Sequence, residues 1–235
     1  MIKIVGLGPG NPECMTLAGV NCILSAEVLA GGERNIENAF EILRSVGKEA
    51  DIENIETIYL GKDIESFIKK VSSHEEVSSH EEGCSHEKAS NHEKVSNNGK
   101  EVVVVVSGDP GFYSLLDSFN RAGVKVEAVP GISSYQYLYS KLGLSYKNHR
   151  LLSCHGREMD YIKVLEDCDG VFLLTDGENT PAEICKKLVN AGLGKTKVYV
   201  GENLSYENEN IIFGMAEEFV DREFSMLSSV IIEKG

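Results

Sequence analysis

Val102 to Val106 is an unbroken run of five valines, closed by Ser107-Gly108-Asp109-Pro110-Gly111-Phe112-Tyr113. A β-branched run without polar alternation suits a strand buried on both faces, as in a parallel sheet covered by helices. A strand of this kind is the first sign of the α/β class that the alternation of strands and helices along the whole chain predicts. The loop after it is dense in turn formers and in glycine, which lets backbone approach a ligand closely. Ligands of open α/β sheets bind beyond the carboxyl ends of strands, so the loop is a candidate cofactor site. An ordinary strand-to-helix turn is the alternative.

The chain has 235 residues, enough for one large domain or two smaller ones around a substantial core. Its mean hydropathy of -0.15 is that of a soluble protein. No apolar run approaches the roughly 20 residues that cross a bilayer. The N-terminus, Met1-Ile2-Lys3-Ile4-Val5-Gly6, enters a strand without the features of a signal peptide, which predicts a cytoplasmic location and no membrane partner. A net charge of -14 argues against a nucleic-acid surface, while leaving room for an acidic small molecule at a local cationic pocket. The six cysteines are scattered with no C-x-x-C pair, which fits reduced thiols better than disulfides or zinc.

In chain order, Gly6-Leu7-Gly8-Pro9-Gly10-Asn11 follows the first strand. It fails as a dinucleotide fingerprint: Asn11 stands where the third glycine belongs, and Pro9 lacks a backbone donor. Thr16 is placed to cap a helix through about Ser25. Val28 to Gly32 reads as a strand and turn before Arg34, with a helix from about Ile36 to Val46. A short strand near Thr57–Leu60 and helical spacing over Asp63–Val71 follow.

Residues 72–96 repeat every six residues around Ser-His-Glu and hold four of the six histidines, His74, His80, His86 and His92. Metal binding is the sharp reading. A six-residue step turns a helix by about 240°, however, so successive histidines point to different sides. A polar insertion with no metal site is the reading preferred.

Beyond the valine strand, a helix is expected over Leu115–Arg121 and a strand over Val124–Val129. The latter ends at Pro130-Gly131-Ile132-Ser133-Ser134, whose hydroxyls are placed to cap a helix over Tyr135–Lys141. Leu151-Leu152-Ser153-Cys154-His155-Gly156-Arg157 comes next, then a buried strand from Gly170 ending in Thr175-Asp176-Gly177. Thr180 caps a helix through about Ala191. Strands are expected at Val198–Gly201 and Ile211–Gly214, a short helix near Met215–Val220, and a final strand at Ser229–Glu233. Strands and helices are expected to alternate throughout, in two lobes: residues 1–131, with the insertion, and 132–235.

The loops at 6–10, 107–113 and 129–134, in this order and spacing, resemble those of the tetrapyrrole (corrin/porphyrin) methylase superfamily. The stretches at 153–157, 174–181 and 201–206 narrow the resemblance to its cobalt-precorrin-7 C(5)-methyltransferase branch. The resemblance covers nearly the whole chain except the repeat.

It implies two α/β lobes with S-adenosylmethionine bound in the cleft between them, and methylation at C(5) of cobalt-precorrin-6B to give cobalt-precorrin-7 in anaerobic cobalamin biosynthesis. The cofactor contacts it implies are Pro9, Gly108, Asp109, Phe112, Ser133, Ser134, Asp176, and Asn203 or Leu204. Helix N-termini and glycine amides suit a carboxylate, and Asp109 suits a cationic amino group. Arg34, His155 and Arg157 are candidates for the carboxylate arms of the macrocycle. The acceptor is an electron-rich carbon, so no nucleophilic side chain is demanded and none is named as catalytic. The resemblance further implies a homodimer, with the C(15) methylation and decarboxylation left to a separate protein. The rivals are methylation at another carbon, and a metal-binding module built on the histidine repeat.

Overall fold

All five valines of Val102–Val106 are 0–3% exposed, and they form the central strand of a five-stranded sheet. The computed structural model describes residues 1–74, 100–156 and 159–234. By its internal contacts the chain divides into two units. The first comprises Met1–Gly8 and Pro12–Ile132, and the second Pro9–Asn11 and Ser133–Gly235.

The sheet of the first unit contains β1 (Ile2–Gly6), β2 (Val28–Gly31), β3 (Glu56–Tyr59), β4 (Val102–Val106) and β5 (Val126–Val129), in the order β3-β2-β4-β1-β5. Every pairing is parallel. Alternate valines face opposite sides. Val102, Val104 and Val106 join Phe67, Ile68 and Val71 of α3 (Ile64–Ser73) and Phe119 of α4 (Leu116–Arg121). Val103 and Val105 join Ile23 of α1 (Leu17–Leu24) and Ile36, Ala39, Ile42 and Leu43 of α2 (Glu33–Ser45). Burying each such side chain contributes about 1.5–3 kcal/mol, which explains why a strand with no polar face is stable here and nowhere near solvent.

The caps explain the helix starts. Thr16 accepts the Gly19 N–H at 3.1 Å, as its position predicts. The helix expected from Ile36 begins instead at Glu33, because Gly32 adopts the extended N-cap conformation. Arg34 therefore lies in the first helical turn rather than in a loop. Ser72 and Ser73, read as part of the polar insertion, close α3, and His74 caps its end. His74 Nε2 meets Glu56 Oε1 at 2.9 Å, and Lys100 Nζ lies 2.7 Å from Glu56 Oε2. His80, His86 and His92 lie outside the described residues.

The second unit has a mixed sheet, β6 (His149–Ser153), β7 (Gly170–Leu174), β8 (Lys197–Glu202), β9 (Asn210–Met215) and β10 (Ser228–Glu233), ordered β6-β7-β10-β8-β9. Only β6 and β7 run parallel; β10 is antiparallel to both β7 and β8, and β9 to β8. Helices α5 (Ser134–Leu142), α6 (Tyr161–Glu166) and α7 (Pro181–Asn190) accompany it. Strict alternation of strand and helix thus fails after β8. The helix expected over Met215–Val220 is a single 3-10 turn at Ala216–Glu218, because the β8–β9 ladder runs on to pair Met215 with Lys197. Among the described residues no helix is long and apolar enough to cross a membrane.

Candidate active site

In the first unit three strand ends meet at their backbones. Gly8 and Gly108 exchange hydrogen bonds, Gly108 N–H to Gly8 O at 2.8 Å and Gly8 N–H to Gly108 O at 3.2 Å. Gly6 and Gly131 approach so closely that a methyl group on Gly6 would stand 2.8 Å from Gly131 N. Gly108 (φ 68°) takes the left-handed conformation that glycine adopts without strain. The loops after β1, β4 and β5 therefore form one backbone cluster.

Asp109 binds that cluster together. Its Oδ1 accepts the Gly111 N–H at 2.8 Å within its own turn, and its Oδ2 accepts the Gly131 N–H at 3.2 Å from the loop after β5. Phe112 packs edge-on against Tyr113, ring centroids 5.0 Å apart, and Tyr113 is held at φ 51°. A non-glycine residue there costs about 1–3 kcal/mol, a strain found most often at functional sites. Gly108, Asp109 and Phe112 are thus brought together. Arg34 is exposed, with no charged partner among the described residues.

In the second unit, Ser133 stands at the N-cap of α5. Gln136 Oε1 accepts its backbone N–H at 2.9 Å. The Ser133 hydroxyl is 2% exposed and faces the Gln136 N–H in a capping box, as its placement predicts, although this approach falls short of full hydrogen-bond geometry. Ser134 follows as the first residue of the helix.

Asp176 organises the ends of β6 and β7. Its Oδ2 accepts the Gly156 N–H at 2.8 Å, and its Oδ1 accepts the Asn179 and Glu178 N–H groups at 2.6 and 2.9 Å. These donors, Asn179 and Gly156 foremost, hold its carboxyl down at about 2. His155 is exposed beside this loop, its backbone N–H on Ser153 Oγ at 3.2 Å. Arg157 lies outside the described residues.

Asn203 (φ 48°) and Ser205 (φ 71°) are both left-handed. Asn203 Oδ1 accepts from Ser225 Oγ at 2.7 Å, and Glu202, 8% exposed, accepts the Ser225 N–H at 2.6 Å. Leu204 is buried, and a methyl on Gly201 would stand 2.7 Å from its Cδ2, so its side chain fills the core. Pro9 belongs to this unit through the next residues, where Asn11 N–H donates to Ser205 Oγ at 2.9 Å.

Sequence reasoning missed Gly131, Asn179 and Ser205, which accept or donate the hydrogen bonds that join these loops. Asparagine's tolerance of left-handed backbone is a local signal for the loop at 203, beside the resemblance of residues 201–206. Among the described residues no group of three His, Cys, Asp or Glu side chains is placed to hold a metal ion.

Residues 1–220 match the family described as tetrapyrrole (corrin/porphyrin) methylases. The chain belongs to this family. The methylase is 29% identical over 240 residues to a probable cobalt-precorrin-7 C(5)-methyltransferase of Methanocaldococcus jannaschii, covering 99% of this chain and 98% of that one. It is 29% identical over 238 residues to the cobalt-precorrin-7 C(5)-methyltransferase of Salmonella typhimurium, covering 100% of both chains. Its fold matches that of the uroporphyrin-III C-methyl transferase of Thermus thermophilus, solved as a complex with S-adenyl homocysteine, with a TM-score of 0.68, 21% identity, and 99% and 97% of the two chains covered. The methylase is accordingly an α/β methyltransferase.

Proposed function

We propose that this methylase transfers a methyl group from S-adenosylmethionine to C(5) of cobalt-precorrin-6B, giving cobalt-precorrin-7. The end-to-end similarity to archaeal and bacterial C(5) enzymes is the observation that carries this reading.

The residues present fit the cofactor on a structural ground as well. The Ser133 hydroxyl is buried at the start of α5 and, facing the Gln136 N–H as an acceptor, keeps its O–H donor for a polar ligand. In the first unit Gly108, Asp109 and Phe112 are the proposed contacts, and in the second Pro9, Ser133, Ser134, Asp176, and Asn203 or Leu204. Asp109 and Asp176 already accept backbone donors, so their first contribution is to hold loops in place. For Leu204 the backbone is the group available, because its side chain is spent on packing.

Bound S-adenosylmethionine supplies a methyl group on a positively charged sulfur, open to in-line displacement by an electron-rich carbon. What the chain must do is align, and alignment removes about 7–11 kcal/mol from such a barrier. Rigid, mutually hydrogen-bonded loops are suited to that task. Arg34, His155 and Arg157 are proposed to meet the carboxylate arms of the macrocycle. The methylase is further proposed to work as a cytoplasmic homodimer, with C(15) methylation and decarboxylation supplied by a separate protein. Light scattering of the purified chain reads the oligomeric state directly.

Incubation with cobalt-precorrin-6B and S-adenosylmethionine tests the reaction. A mass gain of one methyl, placed at C(5) by NMR, is expected. A methyl at another carbon would overturn the positional assignment, and metal binding by the repeat without any methyl transfer would overturn the enzyme reading.

A further inference from the structure

The loop after β8 in the second unit is held in an unfavourable backbone shape by a carboxylate outside the proposed contact set. Glu209 Oε2 accepts the Ser205 N–H at 2.7 Å, while Ser205 sits at φ 71°. Glu209 is itself held from α5: Lys141 Nζ lies 3.2 Å from its Oε1, and the Tyr137 hydroxyl also bonds to it. Burial pushes the Glu209 carboxyl up, but the Ser205 N–H, the Tyr137 hydroxyl and the Lys141 ammonium outweigh it. The group is ionised at neutral pH and acts only as an acceptor.

Ser205 passes this restraint on. With its amide tied to Glu209, its hydroxyl accepts the Asn11 N–H at 2.9 Å. The adjacent Tyr206 ring lies against Gly10, so close that a methyl on Gly10 would stand 2.7 Å from the phenolic oxygen and nearer still to the ring carbons. Two successive contacts, one polar and one steric, therefore fix the backbone of Gly10 and Asn11. Pro9 is the next residue.

We propose that Glu209 is a positioning residue for the cofactor loop, acting through Ser205 to set the place of the Pro9–Asn11 segment. The proposal rests on the reading of Pro9 as an S-adenosylmethionine contact. Glu209 does not touch the cofactor; it defines where the segment that does so stands. Neutral polar replacement preserves one acceptor oxygen for the Ser205 N–H, whereas truncation removes it.

Two readouts on the full chain test this. Calorimetry with S-adenosylhomocysteine should show Kd rising about tenfold in Glu209→Ala and no more than about threefold in Glu209→Gln, with Ser205→Ala close to Glu209→Ala. Amide hydrogen exchange, which needs no ligand, should show Asn11 and Ser205 losing protection in Glu209→Ala while β7 and β10 keep theirs. Preserved strand protection also shows that the variant has folded. Unchanged Asn11 protection, or unchanged affinity in both Glu209→Ala and Ser205→Ala, would overturn the proposal. If the unaltered protein binds no S-adenosylhomocysteine, the cofactor role of the segment fails, and the exchange data still decide whether Glu209 positions it.

Discussion

Asp109 Oδ2 accepts the backbone N–H of Gly131, 22 residues further along the chain, at 3.2 Å. The carboxylate is therefore a tie between the loops after β4 and β5 before it is anything else. Its second oxygen closes the turn onto Gly111.

Asp109→Ala is expected to lower stability by about 1–2 kcal/mol and to weaken S-adenosylhomocysteine binding at the same time. Urea denaturation and calorimetry on the same samples read both. Weakened binding at unchanged stability would mean that the carboxylate serves the ligand and not the loops.

Asp176 provides a pH test. Its carboxyl is held at about 2, below its ordinary value of 3.8, so its stabilising contribution is present above pH 4 and is lost as the pH falls towards 2. After solvent screening that contribution is about 1 kcal/mol. The unaltered protein should exceed Asp176→Asn by about this amount at pH 7, and the gap should close near pH 2. Chemical denaturation across that range measures it, and a gap independent of pH would contradict the assignment.

Gly131→Ala should be among the most damaging single-methyl changes in the first unit. The added carbon would stand 2.7 Å from the carbonyl carbon and oxygen of Gly6, with Gly108 O nearer still. A loss of more than about 3 kcal/mol is expected, against about 0.5 kcal/mol or less for Gly61→Ala, which meets nothing within 4 Å. Thermal melts of the two variants make the comparison.

Replacing residues 75–99 with a short Gly/Ser linker should leave S-adenosylhomocysteine affinity within about twofold of the unaltered protein. His74 must be kept, because it bonds to Glu56 and closes α3. Loss of binding on this replacement would bring the repeat back into the function.

How far the sequence spoke for itself differed between elements. The valine run suited a strand buried on both faces, and it is the central strand of a parallel sheet. Strand direction in the second unit was not legible, since periodicity reports which faces are buried and not whether β10 runs with or against β7 and β8. The site loops announced themselves through Gly, Pro and Asp. Their internal wiring did not: Asp109 with Gly131, Asp176 with Gly156, and Ser205 with Asn11 join positions brought together only by the fold. Ser133 was legible as a capping residue, and the fold places it at the N-cap of α5 in a capping box with Gln136.

The valine strand carries a cost of its own. Because β4 repeats one side chain five times, sliding it by one residue would still present valine to both buried faces of the sheet. The strand has no internal ruler, and its alignment must be read from its two ends. At the entrance Lys3 Nζ meets Glu101 Oε1 at 2.8 Å, and the Glu101 N–H bonds to Glu27 Oε2 at 2.8 Å. At the exit Gly108 locks onto Gly8. The glycine pair beside the proposed cofactor contacts is thus also an end-stop that tells an otherwise uniform strand where to stand.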